Sequence, residues 1–386
     1  MFNLLVIIIY IAFISLGLPD ALLGSAWPIM HIDMDVPLSY AGVIAMIISF
    51  GTIVSSLMSD RLTKKIGTAK VTAFSVLLTA IALFGFSISS SFWMLVLWAI
   101  PYGLGAGSVD ASLNNYVALH YSSKHMSWLH CFWGVGASIG PYIMSYSIVN
   151  TSSWNNGYLY ISILQIVLTF ILFMSIPLWK KRSSNENETS NKPLSLKSII
   201  KLIGAKEVMI SFFCYCALEQ TAGLWASSYL VGRFNSSEEV AASFASLFYL
   251  GMTLGRAISG FLTIKFNDKT MIRFGSLLIL IGLIFVIIPF NVISLSYIGL
   301  ALIGLGCAPI YPCIIHSTPI LFGEDKSQAI IGVEMASAYI GCLVMPPLFG
   351  VIANLISIRL YPIYMIILLG LMVFTYEILV KKKKNL

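Results

Sequence analysis

Charged side chains are scarce in this chain. Of its 386 residues only 10% are Asp, Glu, Lys or Arg, while 58% are hydrophobic. A soluble domain carries roughly 25% charged residues, so a water-facing surface for a chain of this length is out of reach. The shortage excludes an ordinary soluble enzyme and a nucleic-acid-binding domain. The six cysteines, Cys131, Cys214, Cys216, Cys307, Cys313 and Cys342, all fall in apolar runs. They read as buried thiols, which excludes a secreted disulfide scaffold. Catalytic signatures are missing as well: there is no Gly-Lys-Ser/Thr phosphate loop and no His-Glu-x-x-His. His120, His125 and His130 recur every five residues, about 140° apart on a helix, a poor face for a metal. No cofactor, metal or enzymatic chemistry is expected. The N-terminal apolar run lacks a basic flank and the next run follows closely, so no cleavable signal peptide is expected either.

What the chain has is long apolar runs. A membrane-spanning helix needs about 20 residues, and twelve spans of about 22 would use roughly 264, leaving about 120 for loops and tails. The runs place spans at 3–27, 38–59, 69–89, 92–119, 126–149, 158–179, 207–231, 239–264, 270–290, 293–321, 327–352 and 359–380. The expected fold class is an all-α membrane protein of twelve transmembrane helices. Between spans six and seven, 180–206 contains Ser-Ser-Asn-Glu-Asn-Glu-Thr-Ser-Asn-Lys at 183–192 and reads as a solvated linker. It separates an N-terminal six-helix bundle, 1–179, from a C-terminal one, 207–386.

The net charge of +7 is unevenly spread. With these spans, 20 of the 23 Lys and Arg residues fall on one side, in the even-to-odd loops, the linker and the tail Lys381 to Lys384; the other side has Arg233 and Arg359. Lys and Arg concentrate in cytoplasmic loops, so both termini and the linker are expected in the cytoplasm, in a multi-pass protein of the plasma (inner) membrane. The charge is a topology signal, with some attraction to anionic lipid.

The halves repeat one another. Gly51, Ser59, Leu62, Thr63 and Lys65 recur as Gly251, Ser259, Leu262, Thr263 and Lys265 at an offset of 200. Gly103-Leu104-Gly105 recurs as Gly304-Leu305-Gly306, and Ala137-x-Ile139-Gly140 as Ala338-x-Ile340-Gly341, both at 201. An offset of six spans keeps the halves parallel. Two parallel halves with a midplane site between them are a transporter design, worked by rocking one half against the other.

On these motifs the sequence resembles the major facilitator superfamily over nearly its whole length. Ser56-x-x-x-Asp60-Arg61-x-x-Lys64-Lys65-x-Gly67 is similar to the signature between spans two and three, with Ser56 where glycine is usual. Gly251-x-x-x-Gly255-Arg256-x-x-x-Gly260 is its second-half counterpart. Within the superfamily the chain looks most like the fucose and glucose/mannose:proton symporter branch. Asp110-Ala-Ser-Leu-Asn114-Asn115 resembles that branch's span-four acid before an Asn-rich turn, with aspartate in place of glutamate. Glu219-Gln220-x-x-x-x-Trp225-x-x-x-Tyr229 resembles its span-seven pattern, and Asp20 falls where fucose symporters have a span-one acid. The resemblance implies two parallel six-helix repeats, a monomer, and a small-molecule substrate carried with protons.

Ionisable residues inside spans are costly and mark functional or paired positions. At 1.5 Å per residue Asp110 and Glu219 each lie about 18 Å deep, near the midplane, and Asp20 nearer the outside. These three are the expected proton-coupling acids, against the plainer reading of a carboxyl hydrogen-bonded to a neighbouring helix. Carboxylates serve sodium as well, so sodium stands beside protons as a coupling ion. Arg256 and Glu334, about 13–14 and 12 Å deep, are expected to pair, for gating or for structure, and Asp60 and Arg61 form the loop counterpart. A sugar is held by rings against its C–H face and by amides and acids at its hydroxyls. Glu219, Gln220, Trp225, Tyr229, Asn114, Asn115, His130, Trp133, Tyr311 and Tyr339 are the candidates, with packing as the alternative for each. Gly103-x-Gly105-x-Gly107 sits inside a span and follows no strand, so it is no dinucleotide loop.

The reading is a proton-coupled monosaccharide importer. The alternative is a proton-coupled exporter of small amphiphilic compounds or drugs. For that, Gly136-x-x-x-Gly140-Pro141 supplies half of a span-five exporter signature, while Ser127 and Met144-Ser145 depart from it. A non-transporting receptor on the same fold is a third possibility.

Overall fold

The computed structural model describes residues 4–37, 40–179, 193–235, 238–288 and 293–384. The Asn- and Glu-rich stretch of the expected linker, with Lys180, Lys181, Arg182 and Lys192, lies outside the described residues.

Every regular element in the described residues is helical. Ten expected spans are single helices: α3 (Ala41–Ile66), α4 (Thr68–Ser87), α5 (Phe92–His120), α6 (Ser123–Thr151), α7 (Trp154–Ser175), α9 (Ala205–Phe234), α10 (Glu238–Leu262), α11 (Asp268–Ile287), α14 (Glu324–Leu355) and α15 (Tyr361–Lys384). Two spans are broken. The first divides into α1 (Leu4–Asp20) and α2 (Leu22–Asp33), and the tenth into α12 (Ile293–Cys307) and α13 (Ile310–Phe322). Proline removes a backbone donor and disfavours helix before it; Pro19 and Pro309 stand at these two breaks. A short helix α8 (Leu196–Ile200) precedes α9, its start capped by Ser195 Oγ accepting from the Ser198 amide.

Nine helical stretches among the described residues are long and apolar enough to cross a membrane by composition alone. α10 contributes only the shorter apolar stretch Leu247–Leu262, and α6 and α9 are not among them. They carry His125, His130, Glu207 and Glu219, and polar residues lower the average of the span that holds them.

The helices gather into two compact units, Met1–Tyr116 with Leu129–Leu194, and Val117–Trp128 with Ser195–Leu386. This differs from the halves expected from the repeat. The last turn of α5, the first turns of α6 and the loop joining them belong with the second unit.

In the first unit, Leu22, Trp27, Met30, Phe86, Tyr102, Trp154 and Tyr158 form a buried cluster drawn from spans one, three, four and six. Gln165 ties spans one, three and six together by donating to the Ser15 carbonyl at 2.9 Å and accepting from Thr79 Oγ1 at 2.8 Å. α1 and α6 touch backbone to backbone. A Cβ on Gly136 would overlap the Ile14 carbonyl and one on Gly140 the Leu18 carbonyl, so only glycine permits this approach. In the second unit, α9 packs on α10, α14 and α15, and α11 on α12. Arg233 closes the end of α11. It donates to the carbonyls of Val286, of Ile287 at 3.2 Å and of Ile288 at 2.5 Å, occupying acceptors that a helix C-terminus leaves open.

Candidate functional site

The close approach of α1 and α6 decides what surrounds Asp20. Asp20 is the last residue of α1, at the break in span one. Trp133 Nε1 donates to its Oδ2 at 2.9 Å and Tyr102 OH lies 3.4 Å from its Oδ1. The carboxylate is exposed while Tyr102 is buried, so an open acid is aimed by two aromatic donors.

One helix away, Asp110, Asn114 and His130 make a chain of donors and acceptors. Asn114 stands one turn after Asp110 on α5 and donates from Nδ2 to Oδ1 at 2.7 Å, and to the Asp110 carbonyl at 3.0 Å. Its Oδ1 is 3.1 Å from His130 Nε2. With Nδ2 spent on Asp110, Oδ1 can only accept, which places the imidazole hydrogen on Nε2. The order of donors matches an ionised Asp110. A proton on Oδ2 would leave this bond in place, whereas one on Oδ1 would set a donor against a donor and release the amide. Asp110 is also within Coulombic reach of Asp20.

The second unit carries a separate cluster. Glu219 on α9 lies 3.4 Å from Arg256 on α10 and accepts from Tyr215 OH. Tyr215 OH is also 2.9 Å from the Cys307 carbonyl, at the break in span ten. One hydroxyl hydrogen serves one acceptor fully. An ionised Glu219 takes it, whereas a protonated Glu219 leaves it to the carbonyl.

Several expected roles are corrected. Arg256 does not pair with Glu334. Glu334 is fully buried, and Thr318 Oγ1 sits 3.0 Å from both of its oxygens. Glu334 matches Arg256 in depth, yet packing turns Arg256 toward Glu219 on α9. Asp60 pairs with Lys64 at 3.1 Å and accepts from the Leu194 amide at 3.3 Å, while Arg61 is exposed. Tyr229 is a structural residue. It is buried, donates to the Val286 carbonyl at 2.9 Å and accepts from Arg233, so its hydroxyl is committed to the α11 terminus. Trp225 spends its indole N–H on the Pro346 carbonyl at 2.9 Å and packs its ring on Phe349. Tyr311 points its hydroxyl at Met335 Sδ, 3.1 Å away, within a ring cluster with Phe212 and Tyr215. Gln220 is exposed beside Glu219, Tyr339 is half-buried and Asn115 is buried.

Tyr102, Tyr215 and Thr318 were not foreseen as partners of the acids. Tyr215 had a signal, since it precedes Glu219 by one helical turn and shares its face. Tyr102 and Thr318 reach their acids from other helices or turns, and no spacing announces them.

A third cluster lies at the end of α5. Ser123 Oγ donates to Asp268 Oδ1 at 2.5 Å, His316 Nδ1 is 2.6 Å from Asp268 Oδ2, and His316 Nε2 is 3.2 Å from the Tyr121 carbonyl. The loop between α5 and α6 is thus held by α11 and α13.

Comparison with known proteins agrees with this architecture. The sequence profile described as Major Facilitator Superfamily matches residues 9–242 and again 208–385. The chain is similar to bypass of stop codon protein 6 of Saccharomyces cerevisiae, with 27% identity over 97% of this chain and 82% of that protein. It is similar to the glucose/mannose transporter GlcP of Bacillus subtilis, with 22% identity over 94% of this chain and 92% of the other. Its fold matches the E. coli fucose:proton symporter FucP with a TM-score of 0.78, at 15% identity, over 96% of this chain and 98% of that one.

Proposed function

The chain belongs to the Major Facilitator Superfamily and is a multi-pass membrane transporter, and we propose that it takes up a monosaccharide together with protons. The observation that supports the coupling is the Asp110–Asn114–His130 chain, which links a carboxyl of span four to an imidazole of span five by hydrogen bonds. A carboxyl at midplane depth is costly to keep charged, and one hydrogen-bonded through an amide to a neighbouring span is placed to tie its charge to the contact between the two helices. The sugar reading is supported by the similarity to the glucose/mannose transporter GlcP and the fucose:proton symporter FucP, and by an open acid, Asp20, aimed by the rings of Trp133 and Tyr102. Glu219, with Gln220 beside it, is the matching candidate in the second unit. We place the protein in the plasma membrane with both termini in the cytoplasm, on the distribution of Lys and Arg.

The test is sugar-driven proton movement in proteoliposomes. Protons moving with the sugar support import. Protons moving against a transported compound point to the exporter, and sugar binding with no proton movement to a receptor. Asp110→Asn is expected to abolish pH-gradient-driven accumulation and to keep counterflow of labelled sugar, because exchange needs no net proton release. A variant that still concentrates sugar removes Asp110 as the proton carrier.

A further inference from the structure

A cavity of about 300 Å³ runs along the side of the first unit. One wall is the α3 row Ser55, Met58, Leu62 and Ile66, and the other is the α4 row Val71, Phe74, Ser75 and Leu78. Leu104 and Ser108 of α5 close the back. The serines there do not make it polar. Ser55 Oγ is spent on the Leu104 carbonyl and on Ser108 Oγ. Met58, Ile66 and Phe74 at the mouth are exposed, at 44%, 37% and 51%, so the groove opens sideways onto the apolar surface of the span.

Its dimensions and its rim point to an occupant. From Ser55 to Ile66 the α3 wall is about 16 Å long, half of a hydrocarbon core about 30 Å thick and hence the depth of one leaflet. The groove ends at the tight turn where Gly67, at φ 84°, joins α3 to α4. Lys65 is one turn beyond Leu62 on the groove-lining row, and Lys70 is one turn before Phe74. Both lysines are exposed, and neither makes an ion pair with any described residue. Arg61 is exposed on the same turn of α3.

We propose that this groove is a seat for an anionic phospholipid, with an acyl chain between α3 and α4 and its phosphate on Lys65 and Lys70. An apolar slot one leaflet deep with two cations at its mouth matches that molecule at both ends. A zwitterionic lipid satisfies the slot but brings its own cation to the lysines.

The experiment is native mass spectrometry of the full chain released from nanodiscs containing equal parts dioleoylphosphatidylglycerol and dioleoylphosphatidylcholine. One phosphatidylglycerol is expected to stay bound in preference. Each lysine near an anionic headgroup is worth about fivefold in binding, so Lys65→Gln with Lys70→Gln is expected to cut the preference about 25-fold. Ser75→Phe, which fills the groove and leaves the lysines, is expected to remove the bound lipid. Lys265→Gln with Lys269→Gln, in the corresponding loop of the second half, is expected to leave it. Equal retention of the two lipids overturns the proposal. So does phosphatidylglycerol surviving Ser75→Phe, an equal loss in the Lys265 and Lys269 variant, or displacement of the lipid by free inorganic phosphate.

Discussion

An arginine inside a membrane span needs a counter-charge, and Glu219 supplies one to Arg256 at 3.4 Å. Removing one partner of a buried pair leaves an uncompensated charge and costs about 3–5 kcal/mol, whereas replacing both is close to neutral. Arg256→Gln and Glu219→Gln are each expected to lower the melting temperature of the purified protein, and the double variant to recover much of the loss. Glu334→Gln is expected to show no coupling with Arg256→Gln, since Glu334 faces Thr318. Additive losses for Arg256 and Glu219 would reject the pair. Matching depth selects Glu334, whereas the partner in the structure is Glu219, which the same count places deeper. Depth follows from counting residues to the membrane edge, which is a one-dimensional measure. The angle at which each helix turns its face depends on packing that no single span contains. Tyr229 shows the same limit: it stands one turn after Trp225 in the motif, yet packing turns it to Arg233 and the end of α11.

At the scale of helices, contact between α1 and α6 is what brings Trp133 to Asp20. Gly136→Val would press a side chain onto the Ile14 carbonyl. Overpacking of this kind costs about 1–3 kcal/mol, and separating the helices would also break the indole bond to the acid. Lower thermal stability and lost sugar binding are expected. Gly134→Val is the control, because nothing lies within 4 Å of the added Cβ, and it is expected to behave like the wild type. If both variants behave alike, the helix contact does not set the Asp20 site. The small-residue spacing Gly136-x-x-x-Gly140 made this contact legible, since close approach has a sequence requirement. The breaks in spans one and ten were not legible as breaks. Their apolar runs are continuous, and a proline inside a membrane helix is compatible with a kink as well as with an interruption.

For the molecule as a whole, the count of spans was readable because each crossing needs its own apolar run, whatever it packs against. α6 and α9, which lie outside the nine apolar stretches, carry His130, Trp133 and Glu219. The charge asymmetry predicts that a reporter fused after Leu386 and one inserted near Asn187 both report the cytoplasm. A reporter active on the opposite side at either position would overturn the even number of spans. The boundary between units was not readable, because the repeat in the sequence records ancestry of the halves and not the packing of each turn.

That boundary has a mechanical consequence. α5 begins in the first unit and finishes in the second, which starts at Val117. Asp110 therefore stands about 15 Å of unbroken helix away from the end of α5, next to the turn that Asp268 and His316 grip. A helix resists bending and stretching far more than a string of side chains does. A tilt or twist of α5 at Asp110 would be carried along the same helix toward Tyr121 and Ser123, with the stiffest part of the chain as its crankshaft.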